Sequence, residues 1–333
     1  MPFMPSVAIL ALPHCVHSSV VGTLDVLMTA DSLWRDMGSR ALFTPVDIVT
    51  TDGKPVTAHS GQAVAPSSSI GERPVPDMII VPAIMNGLDA ALENKRALRW
   101  IGNSHSKGSV ICSVCAGAFL LAEAGLLTKR QATTHWALVD SFQTRYPDVD
   151  LKPERMLVDN GDTICAGGVT AYLDLALHLA GRFGSTELAA TCSKLLLIDP
   201  QRDIQSPYRI FAGQKGHGDK QVETVQNWLE EHHTRPITVP AMAEVAGLGL
   251  RTFTRHFTKA TGDSPSEYLQ RLRMETAKRL LESTNHSVDE VAEACGYADS
   301  TAFRRRFKAV TGVPPGRYRA RFSLLETRLG KAG

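Results

Sequence analysis

"SVCAGAFLL", Ser113 to Leu121, sets a cysteine between an apolar run, "GSVIC" (108–112), and a segment with the composition of a helix. A strand that stops at a sharp turn and restarts as a helix displays its corner residue at the helix N-terminus, where the thiolate is favoured. A plain buried thiol suits the same place, because free cysteine is among the most often buried residue types. The surroundings of this corner must decide between a reactive and a structural Cys115.

Upstream lie three more runs of the same kind, "SVAILAL" (6–12), "PVDIVTT" (45–51) and "DMIIVPA" (77–83), and "SVICSV" (109–114) completes the set. They are β-branched and nearly unbroken, as strands buried on both faces must be. Helical stretches such as "GTLDVLMTADSLWRDM" (22–37) and "AYLDLALHLAGRF" (171–183) lie between and after them. The alternation predicts an α/β layered, flavodoxin-like domain with a parallel sheet. It also puts Cys115 at the carboxyl end of a central strand, where open α/β sheets hold ligands.

The chain has 333 residues, 43% hydrophobic and 21% charged, which is ordinary globular material and more than one core usually spans. Its start, "MPFMPSVAILALPHC", has no basic segment before its short apolar run, and no 18-residue apolar stretch occurs. A cytoplasmic protein with no membrane partner is expected. The six cysteines (15, 112, 115, 165, 192 and 295) lack paired metal-type spacing, which fits a reducing compartment. Cys112 and Cys115 form one C-x-x-C, so a thiol redox switch stays open. Charge divides unevenly: residues from 221 onward carry 17 Lys plus Arg against 13 Asp plus Glu, whereas the first 220 carry 19 against 21. The basic end is the expected partner of a polyanion.

That end contains a repeat. "AGLGLRTFTRHFTKATGDSP" (246–265) returns as "CGYADSTAFRRRFKAVTGVPP" (295–315), so that Phe253, Phe257, Gly262 and Pro265 are answered by Phe303, Phe307, Gly312 and Pro315. Each copy reads as a short helix, a glycine turn and a second helix. The phenylalanines, four apart, share a core face. Arg251, Arg255 and Lys259 in one copy, and Arg304, Arg305, Arg306 and Lys308 in the other, spread over the remainder. A solvated basic face would explain one such helix; two, each behind a helix-turn element, point to DNA. "SPSEYLQRLRMETAKRLLES" (264–283) reads as the joining helix, with Ser264 and Pro265 at its start and Leu269, Leu272 and Leu280 as its buried stripe.

These stretches carry two resemblances. "SVCAGAFLLAEAGLLTKRQATTHW" (113–136) with "TICAGGVTAYLDLALHLAGRFG" (163–184) resembles the PfpI-type class I glutamine amidotransferase-like domain, in the version found in GlxA-type regulators, over residues 6–198. Residues 221–322, with the signature "GYADSTAFRRRFKAVTGVPPGRYR", resemble the AraC/XylS DNA-binding domain. In the enzymes of the first family the elbow cysteine is aided by a neighbouring histidine and by an acid from the first strand-helix junction. Here Ala116 follows Cys115, Ser19 stands where the acid is expected, Asp25 falls at a later glutamate, and His135 matches a histidine of the "TTHW" segment. Without an adjacent base a thiol is only a few per cent ionised at neutral pH.

The resemblances imply a DNA-binding transcriptional regulator, an activator, whose amidase-like domain senses a small nitrogenous metabolite such as an amino acid or a quaternary amine. The expected boundaries are 1–205 for the sensing domain, 206–220 for a linker and 221–333 for an all-α domain with two helix-turn-helix motifs. The expected ligand-binding residues are Cys115, Ala116, Gly117, His135, Trp136 and Ser19, with Trp34 and Trp100 as further aromatic faces for a cation. The expected DNA-binding residues are Arg251, Thr252, Arg255, Lys259, Ser300, Thr301, Arg304 and Arg305. Promoter DNA, RNA polymerase, the effector and a second copy in a homodimer are the expected partners; no catalytic residue, metal or cofactor is expected. A cysteine-dependent amidase or hydrolase is the alternative, beside the redox switch through Cys112 and Cys115.

Overall fold

A computed structural model describes residues 4–200, 202–213 and 215–323. The chain divides after Gln205 into two compact units.

The apolar runs of the first unit are strands, as their β-branched composition requires. β1 (Val7–Leu10), β2 (Val46–Thr50), a small hairpin of β3 (Val56–Thr57) and β4 (Ala63–Val64), β5 (Ser68–Ser69), β6 (Met78–Val81) and β7 (Val110–Val114) come first in the chain. β8 (Gln131–Ala132) and β9 (Asp150–Leu151) pair with each other, and β10 (Leu157–Asp159) precedes β11 (Thr163–Ala166). Seven of these make one sheet in the order β10-β11-β7-β6-β1-β2-β5, parallel at every pairing except β10 with β11.

Successive residues of a strand face opposite sides, so a continuous apolar run predicts cover on both. Ala8, Leu10, Ile79, Val81 and Ile111 join one core with residues of α2 (Leu88–Glu93), α3 (Lys95–Ser106), α4 (Gly117–Glu123) and α5 (Val139–Arg145). The alternate set, including Val7, Ile9, Met78, Ile80 and Cys112, is equally buried. α1 (His17–Asp36), α6 (Tyr172–Phe183) and α7 (Thr186–Leu195) pack together as a further layer. Helix α1 starts five residues earlier than its apolar periodicity suggests, which brings Ser19 into its first turn.

The second unit is helical: α8 (Lys220–His232), α9 (Val239–Val245), α10 (Leu250–Thr261), α11 (Pro265–Ser283), α12 (Val288–Ala294), α13 (Ser300–Thr311) and α14 (Pro315–Phe322). The repeat is visible in the backbone. Both α10 and α13 end on a left-handed glycine, Gly262 and Gly312 at φ 77°, and proline opens the helix that follows each. Ser264 and Ser287 close capping boxes with Glu267 and Glu290, fixing where α11 and α12 begin. Two cores result, one around Phe253 and Phe257 and one around Phe303 and Phe307, with all four rings fully buried. Helix α11 spans both, giving Tyr268 and Leu269 to the first and Met274, Ala277 and Leu281 to the second. Leu272 and Leu280 are only partly buried, so the stripe drifts from the expected one to Leu281, as 3.6 residues per turn demands over nineteen residues.

The stretch 206–220 differs from the open linker its glycines suggest. Phe211 packs edge-on against Tyr268 with ring centroids 5.1 Å apart, and the Arg271 guanidinium lies 4.5 Å from its ring centre. The Phe211 amide donates to Glu275, and the buried Lys278 ammonium donates to the Arg209 carbonyl. Three residues earlier Tyr208 meets Phe322 at 5.2 Å, with Arg321 over its ring. Residues 208–211 thus strap the two helix-turn-helix cores together. The last residues of the expected 221–333 domain, 324–333, lie outside the described range.

Candidate functional site

The elbow is formed as its sequence suggests. Strand β7 ends at Val114, Cys115 takes φ 56°, and α4 begins at Gly117. A left-handed backbone at a residue with a side chain costs roughly 1–2 kcal/mol, so its surroundings must hold it there. The Cys115 amide donates to the Ala166 carbonyl at the end of β11 (2.7 Å), and the Cys115 carbonyl accepts from the Thr134 hydroxyl (2.9 Å). At Gly117 a Cβ atom would lie 2.7 Å from the Val81 carbonyl oxygen, so glycine is what lets α4 start against the end of β6.

The chemistry of Cys115 is set by burial. The thiol is pushed up to about 12 by desolvation, opposed only by the Ala116 amide directed at its sulfur. Cys112 lies inside β7, fully buried and raised further still. Burial also lowers His135, which keeps its ring neutral near physiological pH. His135 Nδ1 accepts from the Ala137 amide (3.1 Å), and its ring lies 5.2 Å from that of Trp136. Among the described residues no group of three or more His, Cys, Asp or Glu could hold a metal ion.

Five of the six expected ligand residues belong to this corner: Cys115, Ala116 and Gly117 on the elbow, and His135 and Trp136 at the start of a 3-10 turn, both half-buried. Ser19 does different work. It is fully buried and its Oγ accepts from the Ala83 amide (2.9 Å), tying α1 to the segment after β6. Its burial, not that bond, keeps it from any surface a ligand could reach. Trp100 lines a separate cavity of about 300 Å³ beside β1, β2 and β5, and Trp34 is half-buried on α1.

Gln205 carries no sequence signal and sits at the centre of the site's support. It is 1% exposed, and the two hydrogens of its Nε2 are shared among Thr133 Oγ1 (3.1 Å), the Thr134 carbonyl (2.9 Å) and the Arg155 carbonyl (2.9 Å). Its Oε1 accepts from the Trp136 amide (3.2 Å). Gly167 leaves the room this side chain needs. One carboxamide therefore fixes the segment that carries His135 and Trp136, and the next residue opens the second unit.

On the second unit, Arg251, Arg255 and Lys259 are exposed along α10, opposite its buried phenylalanines, and Thr252 is half-buried on the flank. On α13, Thr301, Arg304, Arg305 and Lys308 are exposed and Ser300 is half-buried at the first position. Arg304 donates to Asp289 of α12 (2.7 Å), a solvent-facing pair that DNA could replace. Each helix thus turns three or four cationic or hydroxyl side chains outward while its aromatic face holds it in place.

Residues 9–181 match the DJ-1/PfpI family and residues 242–321 match a helix-turn-helix domain. The HTH-type transcriptional regulator CdhR of Pseudomonas aeruginosa is 30% identical over 274 residues, covering 82% of this chain and 81% of that protein. Isonitrile hydratase of Pseudomonas putida is 30% identical over 174 residues, 52% of this chain and 70% of that enzyme. A solved THiJ/PfpI family protein from Pseudomonas syringae shares the fold at 21% identity, with a TM-score of 0.51 over 78% of this chain and 89% of its own. With its elbow on a mostly parallel sheet and its repeated helix-turn-helix unit, the chain belongs to the DJ-1/PfpI family and, within it, to the HTH-type transcriptional regulators that bind DNA.

Proposed function

We propose that this regulator senses a small nitrogenous metabolite at the elbow, does not turn it over, and activates transcription from its target promoters through contact with RNA polymerase. The observation that carries the non-catalytic part is the state of Cys115. Its side chain is buried with no base beside it, Ala116 being the next residue, and burial pushes the thiol up, away from the thiolate that nucleophilic chemistry needs. His135 is neutral, its Nδ1 is occupied by Ala137, and a serine stands in place of the acid. What the corner retains is the half-buried rings of His135 and Trp136, an aromatic face for a cationic nitrogen beside the elbow of Cys115, Ala116 and Gly117.

Coupling to DNA runs through Gln205. A ligand that moves His135 and Trp136 moves the Trp136 amide and the Thr134 carbonyl, both bonded to that carboxamide. The chain leaves Gln205 directly into the strap that holds the two helix-turn-helix cores, so the spacing of the recognition helices α10 and α13 responds. Arg251, Arg255, Arg304 and Arg305 read guanines or neutralise phosphates, Thr252, Ser300 and Thr301 add hydroxyl contacts, and Lys259 serves the backbone. The sensing domain ends at Gln205, and the DNA-binding domain includes the strap.

The test is promoter binding by the purified full-length chain with arginine, glycine betaine and carnitine present in turn, each followed by proton NMR in the same tube. A shifted promoter affinity with the metabolite left intact supports sensing. Turnover of any of them that Cys115→Ser abolishes overturns it in favour of a hydrolase or hydratase. The left-handed elbow and the likeness to isonitrile hydratase are what favour that second reading.

A further inference from the structure

The first unit holds a hollow at the opposite end of its strands from the elbow, and chain order explains it. Strand β5 closes the sheet beside β2, and only residues 70–77, which form neither helix nor strand, lead back from it to β6. No helix is therefore laid over that end of the sheet by this connection. Residues paired across parallel strands project to the same face, so the pairings Ala8 with Asp47 and Val49 with Ser68 set Ala8, Asp47, Val49 and Ser68 on one side. Ala8 is short, and a cavity of about 300 Å³ remains above it, walled by Ile70 and by Trp100 of α3. That volume is at the small end of the range for ligand sites. The cavity borders the amino ends of β1 and β2, whereas Cys115 follows the carboxyl end of β7.

The lining specifies the chemistry of an occupant. Ser68 Oγ is buried in the wall and has no hydrogen-bond partner among the described residues, a cost that a polar group on the occupant would remove. Asp47 and Arg73, the charged residues of the lining, pair with each other, so neither is left to balance a charge on the occupant. Ala8, Val49 and Ile70 offer apolar surface, and Trp100 a ring against which another ring can pack. Pro45, Pro74 and Pro76 border the same space, and their fixed φ keeps it preformed.

We propose that this cavity is a second ligand site, for a small uncharged molecule with an aromatic ring and one hydroxyl or amide group that bonds to Ser68. The inference does not depend on what ligand the elbow takes. Titration of the purified full-length chain with benzyl alcohol, and with toluene as the same ring without the hydroxyl, tests it, read by tryptophan fluorescence and by ligand-observed NMR. Benzyl alcohol is expected to bind about five- to tenfold more tightly than toluene, the worth of one neutral hydrogen bond, and Ser68→Ala should bring the two within about twofold. Ser68→Ala should melt no lower than the wild type, because its hydroxyl has no bond to lose. Trp100→Phe should lose the fluorescence change while NMR still reports binding. Ala8→Leu, which fills the floor, should abolish binding, with far-UV circular dichroism as the control for folding. Absence of saturable binding overturns the proposal, as does equal affinity for the two molecules, a preference for the alcohol that Ser68→Ala leaves intact, or a folded Ala8→Leu variant that binds as before. A fluorescence change that survives Trp100→Phe would place the probe elsewhere, and a clearly lower melting temperature for Ser68→Ala would show its hydroxyl already partnered; either result also overturns it.

Discussion

Replacing Gln205 by alanine tests whether one carboxamide holds the His135–Trp136 segment. The contacts of Nε2 and Oε1 disappear, but their costs differ. Thr133 Oγ1 and the Arg155 carbonyl keep each other as partners at 2.9 Å, so neither is orphaned. The Thr134 carbonyl and the Trp136 amide lose the partner that Gln205 supplies. Thr134 is fully buried, whereas Trp136 is half-exposed and can recover water. An unsatisfied buried group costs about 1–3 kcal/mol, so the pair plus the small cavity amounts to about 2–4 kcal/mol. For a unit of this size each kcal/mol moves the midpoint by about 2–4 °C, so the first unit's thermal transition should fall by roughly 5–15 °C. Hydrogen exchange should show Trp136 and its neighbours opening faster while α10 and α13 keep their protection. A Gln205→Ala variant that melts within about 2 °C of wild type and exchanges normally at Trp136 would refute the assignment.

Three further outcomes follow from the same geometry. Cys115 in the folded chain should alkylate with iodoacetamide roughly a thousandfold more slowly near pH 8 than an ordinary surface thiol, because its thiolate fraction is set by a pKa of about 12; an early plateau of rate against pH would contradict this. The folded-state pKa values of Cys115, and of Cys15 and Cys295 at about 11, lie above their unfolded values, so the unfolded chain releases protons first and stability should decline above about pH 9, read as a falling urea midpoint. A fragment starting at residue 206 should be more stable than one starting at 221 by about 1–3 kcal/mol, since only the first keeps the Phe211 and Tyr208 contacts, and equal melting temperatures would show the strap to be passive.

The parts of this molecule that repeat or alternate were legible in the sequence. The four apolar runs became strands because β-branched residues in an unbroken row suit a sheet covered on both sides, and the phenylalanines spaced by four became the two cores. The start of the joining helix was equally plain, since Ser264 and Pro265 mark it. Gln205 was not legible, because nothing local distinguishes a buried glutamine whose partners lie fifty to seventy positions away. Phe211 was hidden by its neighbours: glycines and polar residues after it suggest a linker, while its burial depends on Tyr268 and Arg271 from another helix. At Ser19 the role depends on the Ala83 amide, which pattern cannot show.

Selection of bound duplexes from a random pool by the purified full-length chain tests most directly whether two recognition helices on one chain read DNA. The expected result is a motif with two conserved segments about 10 base pairs apart, in which Arg255→Ala relaxes one segment and Arg305→Ala the other, each costing about 1–3 kcal/mol at its own bases. A single short segment, or two segments that both variants weaken equally and without change of preference, would contradict it.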